Sequence, residues 1–322
     1  MRLGGPARHV LEIENPEEVA DAYGFARQYN LPTFVLGYGA NTIGHDEGFE
    51  GVIIINRMRG IFEEETEDGM RFKVMGGEYW DNVVAYACEK GLTGIEALSK
   101  IPGLTGAAPV QNIGAYGQEI ADVFESAEVF DSATGTYKNI THDEMGFSYR
   151  KSILNTTEKN RYFVISITIR LKKGAMARPF YKSIERYIAD NKCTDFSPKG
   201  IREIVSKIRA DKLPDPVKVA NAGSFFKNVY LSGEEAEKAE EKGLPVIRGK
   251  DGNKINAGWL IEEAGLKGKV LYGIRVNEKA ALVLINESAT SYNNLAMARG
   301  EIVGKVYDKF GYWLEQEPVE LQ

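Results

Sequence analysis

The sequence predicts an α+β fold in three parts, from three observations. Apolar residues repeat at helical spacing in separated blocks: Trp80, Val83, Val84 and Ala87; Ile201, Ile204, Val205 and Ile208; Leu295, Ala298, Ile302 and Val306. Phe163, Ile165, Ile167 and Ile169 alternate, the mark of a half-buried strand in an antiparallel sheet. Between the first helical block and that strand, Gly91 to Ile120 keeps neither period (GLTGIEALSKIPGLTGAAPVQNIGAYGQEI); it is rich in glycine, apolar and nearly uncharged.

Taken in order, Asn15-Pro16-Glu17-Glu18 starts a helix with an N-cap, a proline at the first helical position and acids in the first turn, running to about Tyr29. A strand over Thr33–Leu36 enters Gly37-Tyr38-Gly39-Ala40-Asn41. A strand running into Gly-x-Gly suggests phosphate contact, but a dinucleotide fingerprint would need a third glycine where Thr42 stands, so a structural turn is an equal reading. Val52–Asn56 and Arg71–Met75 read as strands, and Gly91 closes the helix that begins at Trp80. Glu125–Asp131 and Arg161–Leu171 read as antiparallel neighbours. After Lys172 the composition changes, with Gly174–Ala177 as a connector. Lys212-Leu213-Pro214-Asp215-Pro216 stops the helix of Ile201–Ile208, since proline cannot continue it, and places a boundary near 205–215. Ala281–Ile285 is a buried strand, and Gly311 closes the final helix.

Composition excludes several classes. At 322 residues the chain exceeds one ordinary domain, and 43% hydrophobic content is that of a globular protein. A net charge of −6 with no basic tail argues against nucleic acid as a partner. There is no long apolar run and no leader at the start, which predicts a cytoplasmic protein without a membrane partner. Cys88 and Cys193 form no paired motif, and His9, His45 and His142 have no metal spacing, so two free thiols and no metal site are expected.

The glycine-rich stretch carries the chemistry. Gly103, Gly106, Gly114 and Gly117 permit positive φ and close backbone approach, so successive N–H groups can converge on an anion or a flat ring. By composition alone a surface loop is the commoner case. Against it, Ile101, Leu104, Ala107, Ala108, Val110 and Ile113 predict burial, and irregular buried backbone needs partners that a polyanionic cofactor would supply.

The string IPGLTGAAPVQNIGAYGQEI closely resembles the signature of the UDP-N-acetylenolpyruvoylglucosamine reductases, flavoenzymes that complete UDP-N-acetylmuramate for bacterial peptidoglycan. The resemblance covers nearly the whole chain. LGYGANT resembles the family's pyrophosphate-binding LGxGSN loop, with Ala40 where a serine is usual. Ser148-Tyr149-Arg150-Lys151-Ser152 contains its YRxS motif, Ala222–Asn228 its AGSFFKN motif, and Ala257–Gly265 its AGWLI segment, in which Trp259, Leu260 and Ile261 read as core. Leu314–Glu317 resembles the L-E-x-E string, with Pro318 where valine is usual; Glu315 is the second candidate for the glutamate. Phe180-Tyr181-Lys182 resembles the lid of the longer subclass.

The resemblance implies an α+β fold of the vanillyl-alcohol-oxidase type: FAD-binding subdomains at 1–56 and 57–205, the second joined by 318–322, and an α+β substrate-binding domain at 206–317. It implies non-covalent FAD, touched by Gly37, Tyr38, Gly39, Ala40, Asn41, Thr42, Pro102, Gly103, Gly106, Ala107, Gln111, Asn112, Ile113, Gly114, Ala115 and Gly117. NADPH is the implied reductant, a UDP-sugar carrying an enolpyruvyl ether the implied substrate, and a monomer the expected state. Hydride goes from flavin N5 to C3 of the enolpyruvyl group and a proton to C2. Arg150 and Glu317 are the implied stabilisers of the enol-like charge and Ser224 the proton donor, with Lys227 tuning it. Tyr181, Lys212, Lys227 and Asn228 are implied substrate contacts. Another flavin oxidase or dehydrogenase of this fold would need a covalent histidine or cysteine link or an aromatic substrate base. A non-catalytic nucleotide-binding module would have no use for Arg150, Ser224 and Glu317 together.

Overall fold

A computed structural model describes residues 1–249 and 252–322. The chain packs into two compact units, one of Ala7–Gly39 with Glu50–Arg209, the other of Met1–Pro6, Ala40–Phe49 and Ala210–Gln322.

In the 7–39 and 50–209 unit, a small sheet orders Ala7–Ile13, Phe49–Asn56 and Thr33–Leu36, the last two parallel with Val35 opposite Ile54. The Pro16–Gln28 helix is nucleated as its sequence dictates. The Glu18 carboxylate accepts from the Glu14 and Asn15 N–H groups at 2.7 and 3.3 Å, satisfying donors a helix start leaves open. Its Val19, Ala22, Tyr23 and Ala26 pack on Val52, Ile54, Phe130 and Phe163.

The larger sheet of this unit is antiparallel, in the order Thr136–Thr141, Phe124–Asp131, Tyr162–Lys173, Gly69–Met75 and Ile61–Thr66. Phe163, Ile165, Ile167 and Ile169 are all buried, as their alternation predicts. The Trp80–Glu89 helix lays Trp80, Val83, Val84 and Ala87 on Phe72, Val74, Ile167 and Ile169. Each buried Val, Ile or Phe among them contributes about 1.5–3 kcal/mol. Helices Lys182–Asn191 and Pro198–Lys212 form a separate small core through Phe180, Ile184, Ile201, Ile204, Val205 and Ile208.

The other unit holds an antiparallel sheet in the order Asn221–Ser224, Val283–Asn286, Ile274–Val276 and Val270–Leu271. A second sheet orders Val229–Leu231, Gly252–Ile255 and Val246–Gly249. Helices Gly233–Glu241, Ala257–Glu263 and Tyr292–Phe310 surround one core, to which the last gives Leu295, Ala298, Ile302 and Val306 before Gly311 ends it at φ 77°. Leu260 and Ile261 are core residues as expected, whereas Trp259 is only partly buried.

The two units divide at 209/210, and the first 56 residues do not fall in one of them. Segments 1–6 and 40–49 join the C-terminal unit, where Ile43 is buried with Phe225 and Leu314. The last strand, expected to rejoin the flavin-binding part, pairs within the same unit as its own segment. Val319–Leu321 pairs in parallel with Thr42–Gly44, with Glu320 opposite buried Ile43.

Candidate active site

Each unit gathers its own set of expected site residues. In the 7–39 and 50–209 unit, Tyr38 meets Tyr79 edge-on at 5.8 Å, and Tyr79 bridges to Leu104, so the Gly37–Gly39 turn and the Pro102–Ala107 turn share one neighbour. A Cβ built on Gly37 would sit 3.5 Å from that of Ala107. Arg150 joins them on the next turn, its guanidinium donating to the Gly114 carbonyl at 3.0 Å. The Arg150 backbone is left-handed, φ 56°, and the Asn155 amide grips its carbonyl at 3.0 Å. Such a conformation is costly for a non-glycine residue and is held by what surrounds it.

The glycines divide by what their missing Cβ would meet. At Gly39, Gly103 and Gly117, with φ of 70°, 145° and 88°, a Cβ would meet nothing within 4 Å. Such backbone can lie flat against a ligand. At Gly106 a Cβ would come within 3.1 Å of the Gly76 carbonyl, and at Gly114 within 2.9 Å of Glu119, so close protein packing fixes those two. Asn112 spends its side chain on the loop itself, donating to Glu119 at 2.8 Å and Ser148 at 3.2 Å and accepting from the Ala121 N–H at 3.1 Å. Any cofactor contact at Asn112 is left to its backbone. Pro102, Gln111, Ile113 and Ala115 lie along the same segment. This apolar, glycine-lined turn set fits a flavin.

Tyr181 is exposed at the start of the Lys182–Asn191 helix, and its ring stands edge-on to Tyr116 at 5.9 Å. Arg209 hydrogen-bonds the Tyr116 hydroxyl, whose pKa is raised by burial despite that cation. Sequence reasoning missed Arg209. A signal existed: it lies four residues after Val205, beside the apolar face of its helix. That helix is fixed by Asp81, which takes both arms of Arg202 at 2.6 and 3.0 Å and the Lys100 ammonium at 2.9 Å. Burial opposes the Asp81 charge, but these partners hold its carboxyl far below the usual range.

In the other unit, Ser224 ends the Asn221–Ser224 strand and is exposed, while Phe225 and Phe226 are buried. The Glu317 N–H donates to the Phe225 carbonyl at 2.9 Å, and Phe226 bridges Gln316. The Asn41 carbonyl accepts from the Val319 N–H at 2.9 Å, and its amide reaches the Glu317 carbonyl at 3.5 Å. Ala40–Thr42, Ser224 and Glu317 are thus brought together. Lys227 pairs with Glu315 at 2.5 Å, so Glu315 is committed to an ion pair. Asn228 accepts from the Ala257 N–H at 3.1 Å, capping the Ala257–Glu263 helix. Lys212 is exposed at the end of its helix. Among the described residues no His, Cys, Asp and Glu cluster could hold a metal, and no helix is long and apolar enough to cross a membrane.

Comparison with known proteins matches both parts of the chain. Residues 7–141 match a family model described as FAD binding domain, and 215–321 match UDP-N-acetylenolpyruvoylglucosamine reductase, C-terminal domain. The UDP-N-acetylenolpyruvoylglucosamine reductase of Aliivibrio fischeri is 35% identical over 312 residues, covering 96% of this chain and 87% of that one. That of Escherichia coli K12 is 34% identical over 314 residues, covering 97% and 90%. The crystal structure of the Thermus caldophilus enzyme superposes with a TM-score of 0.66 at 26% identity, covering 99% of this chain and 94% of that one.

Proposed function

The chain belongs to the UDP-N-acetylenolpyruvoylglucosamine reductase family, and from that premise we propose how its own residues carry the reaction. It is an FAD-dependent oxidoreductase of the vanillyl-alcohol-oxidase type, with NADPH as reductant, acting in peptidoglycan precursor synthesis. It reduces the enolpyruvyl ether of UDP-N-acetylglucosamine to UDP-N-acetylmuramate. The reading extends to a cytoplasmic monomer that engages neither nucleic acid nor membrane; the net charge of −6 supports the former exclusion.

The turns at Gly37–Thr42 and Pro102–Gly117 would hold FAD without a covalent bond. Bound there and reduced by NADPH, the flavin would supply hydride chemistry to C3 of the enolpyruvyl group. Negative charge then develops at substrate C2 and spreads into the substrate carboxylate. The Arg150 guanidinium stabilises it with charge-assisted hydrogen bonds, and Glu317 shares that task as a hydrogen-bond donor. The Ser224 hydroxyl gives the proton to C2, its acidity supported by the Lys227 ammonium. Tyr181, Lys212 and Asn228 bind the phosphates and carboxylate of the UDP-sugar.

One observation supports these roles above the others. The Glu317-to-Phe225 hydrogen bond at 2.9 Å holds Glu317 one residue from Ser224, while Glu315 is engaged with Lys227. The test is to reduce the protein anaerobically with NADPH, add the enolpyruvyl substrate and follow flavin absorbance. Reoxidation that follows substrate stoichiometrically supports the reading; reduced flavin that persists with substrate present overturns it.

A further inference from the structure

The segment carrying Glu317 is gripped from behind by a cluster no motif announces. Arg299, on the Tyr292–Phe310 helix, donates from one guanidinium nitrogen to Gln316 Oε1 at 2.6 Å and Glu320 Oε1 at 2.5 Å. Its other arm reaches the Tyr292 hydroxyl at 3.5 Å. Gln316 turns its own amide to the Pro318 carbonyl at 2.8 Å and Glu320 Oε1 at 3.2 Å. The second Glu320 oxygen meets His45 Nε2 at 3.1 Å, and the His45 ring stacks on Tyr292 at 3.6 Å. The chain bends at Pro318, so side-chain ties on both sides of the bend decide where Glu317 points. Burial opposes charge on Glu320, yet Tyr292, His45, Arg299 and Gln316 together draw its pKa down to about 2.

We propose that Arg299 is a positioning residue for Glu317, fixing it by clamping Gln316 before it and Glu320 after it. The inference rests on the reading of Glu317 as a reacting group. Backbone bonds from Glu317 to Phe225 and from Val319 to Asn41 set the path of the chain. They fix no side chain at the bend, and Arg299 adds ties to Gln316 before it and Glu320 after it. The two N–H bonds of one planar guanidinium nitrogen hold both acceptors in fixed directions, as a freely rotating ammonium does not. Misplacing a reacting group by about 1 Å costs on the order of 10²-fold in rate.

The experiment measures both half-reactions by stopped flow in Arg299→Met, Arg299→Lys, Glu317→Gln and Arg299→Met/Glu317→Gln. Arg299→Met is expected to slow substrate-driven flavin reoxidation by at least about 10-fold, leaving flavin reduction by NADPH near wild type. Arg299→Lys recovers part of the loss. The double variant is no slower than Glu317→Gln alone, since the arginine acts only through the glutamate. Should Arg299→Met not fold, Arg299→Lys and Gln316→Leu carry the same comparison. If Glu317→Gln reoxidises at the wild-type rate, the role of Glu317 is wrong. If Glu317→Gln is slow but the Arg299 and Gln316 variants are not, or if their losses multiply with it, Arg299 does not position Glu317.

Discussion

Glu317 and Phe225 are joined backbone to backbone at 2.9 Å, although 92 positions separate them in the chain (317 − 225). The bond ties the strand that ends at Ser224 to the segment of the proposed charge-stabilising glutamate, so each can be tested against the other.

Ser224→Ala is expected to slow flavin reoxidation by the enolpyruvyl substrate at least ~10²-fold, the lower range of general acid catalysis. Flavin reduction by NADPH should change little. Ser224→Cys should recover part of the rate, since a thiol still donates a proton. Stopped-flow absorbance separates the two steps; equal slowing of both would leave Ser224 a structural turn residue.

Gly117→Val should empty the protein of flavin. Gly135, in the turn between Phe124–Asp131 and Thr136–Thr141, provides the control: φ is 72° there against 88° at Gly117, and neither Cβ would meet anything within 4 Å. Both substitutions carry the left-handed penalty of about 1–2 kcal/mol and should lower Tm similarly. Only Gly117→Val should lose bound flavin, read from the flavin-to-protein absorbance ratio of the purified protein. Full occupancy would remove Gly117 from the cradle.

How much of this was legible in the sequence depended on how local the cause was. Trp80, Val83, Val84 and Ala87 declared their helix because burial at 0–1% follows directly from the period. The Ala7–Ile13 strand hid because Val10 faces outward while His9 packs on Phe25 at 5.1 Å, which breaks the apolar alternation. Ile61–Thr66 hid behind an acidic run; in the fold Glu64 pairs with Arg71, and Glu63 takes Lys90 and Tyr86. Ser224, Arg150 and Glu317 stood out only through motif resemblance. Arg209 left only the hint of its place beside an apolar helix face, and Arg299 left none, because their partners Tyr116 and Glu320 are near them only once the chain has folded.

Tyr181→Phe should raise KM for the UDP-sugar while leaving KM for NADPH unchanged, because a hydroxyl contact to a substrate phosphate serves only the former. The ring, edge-on to Tyr116 at 5.9 Å, keeps its packing in the variant. Steady-state kinetics with each substrate varied in turn decides it, and equal effects on both would leave Tyr181 a packing residue.

Acid stability should trace to Asp131. Both arms of Arg161 reach its carboxylate, at 2.8 and 2.7 Å, and the Ala133 N–H adds a third bond, drawing its pKa from 3.8 to about 2 against the opposing effect of burial. A carboxyl depressed in the folded state stabilises fully above its unfolded pKa and loses that contribution as pH falls toward the folded one. Asp131→Asn should therefore lower Tm at pH 7, and the gap to wild type should close between about pH 4 and pH 2. Thermal melts across that window check it; a constant gap would mean the pair is not what titrates.

The pairing of Val319–Leu321 with Thr42–Gly44 has a consequence for synthesis. Asn41 and Glu317 lie 276 positions apart, so the ribosome releases Thr42–Gly44 long before its partner exists. A nascent chain can assemble the Glu50–Arg209 sheet as it emerges, but carries the Thr42–Gly44 segment unmatched until Val319 appears. A polypeptide interrupted before Val319 therefore lacks the partner of Thr42–Gly44 and carries an open strand edge, a template for pairing with other unfinished chains.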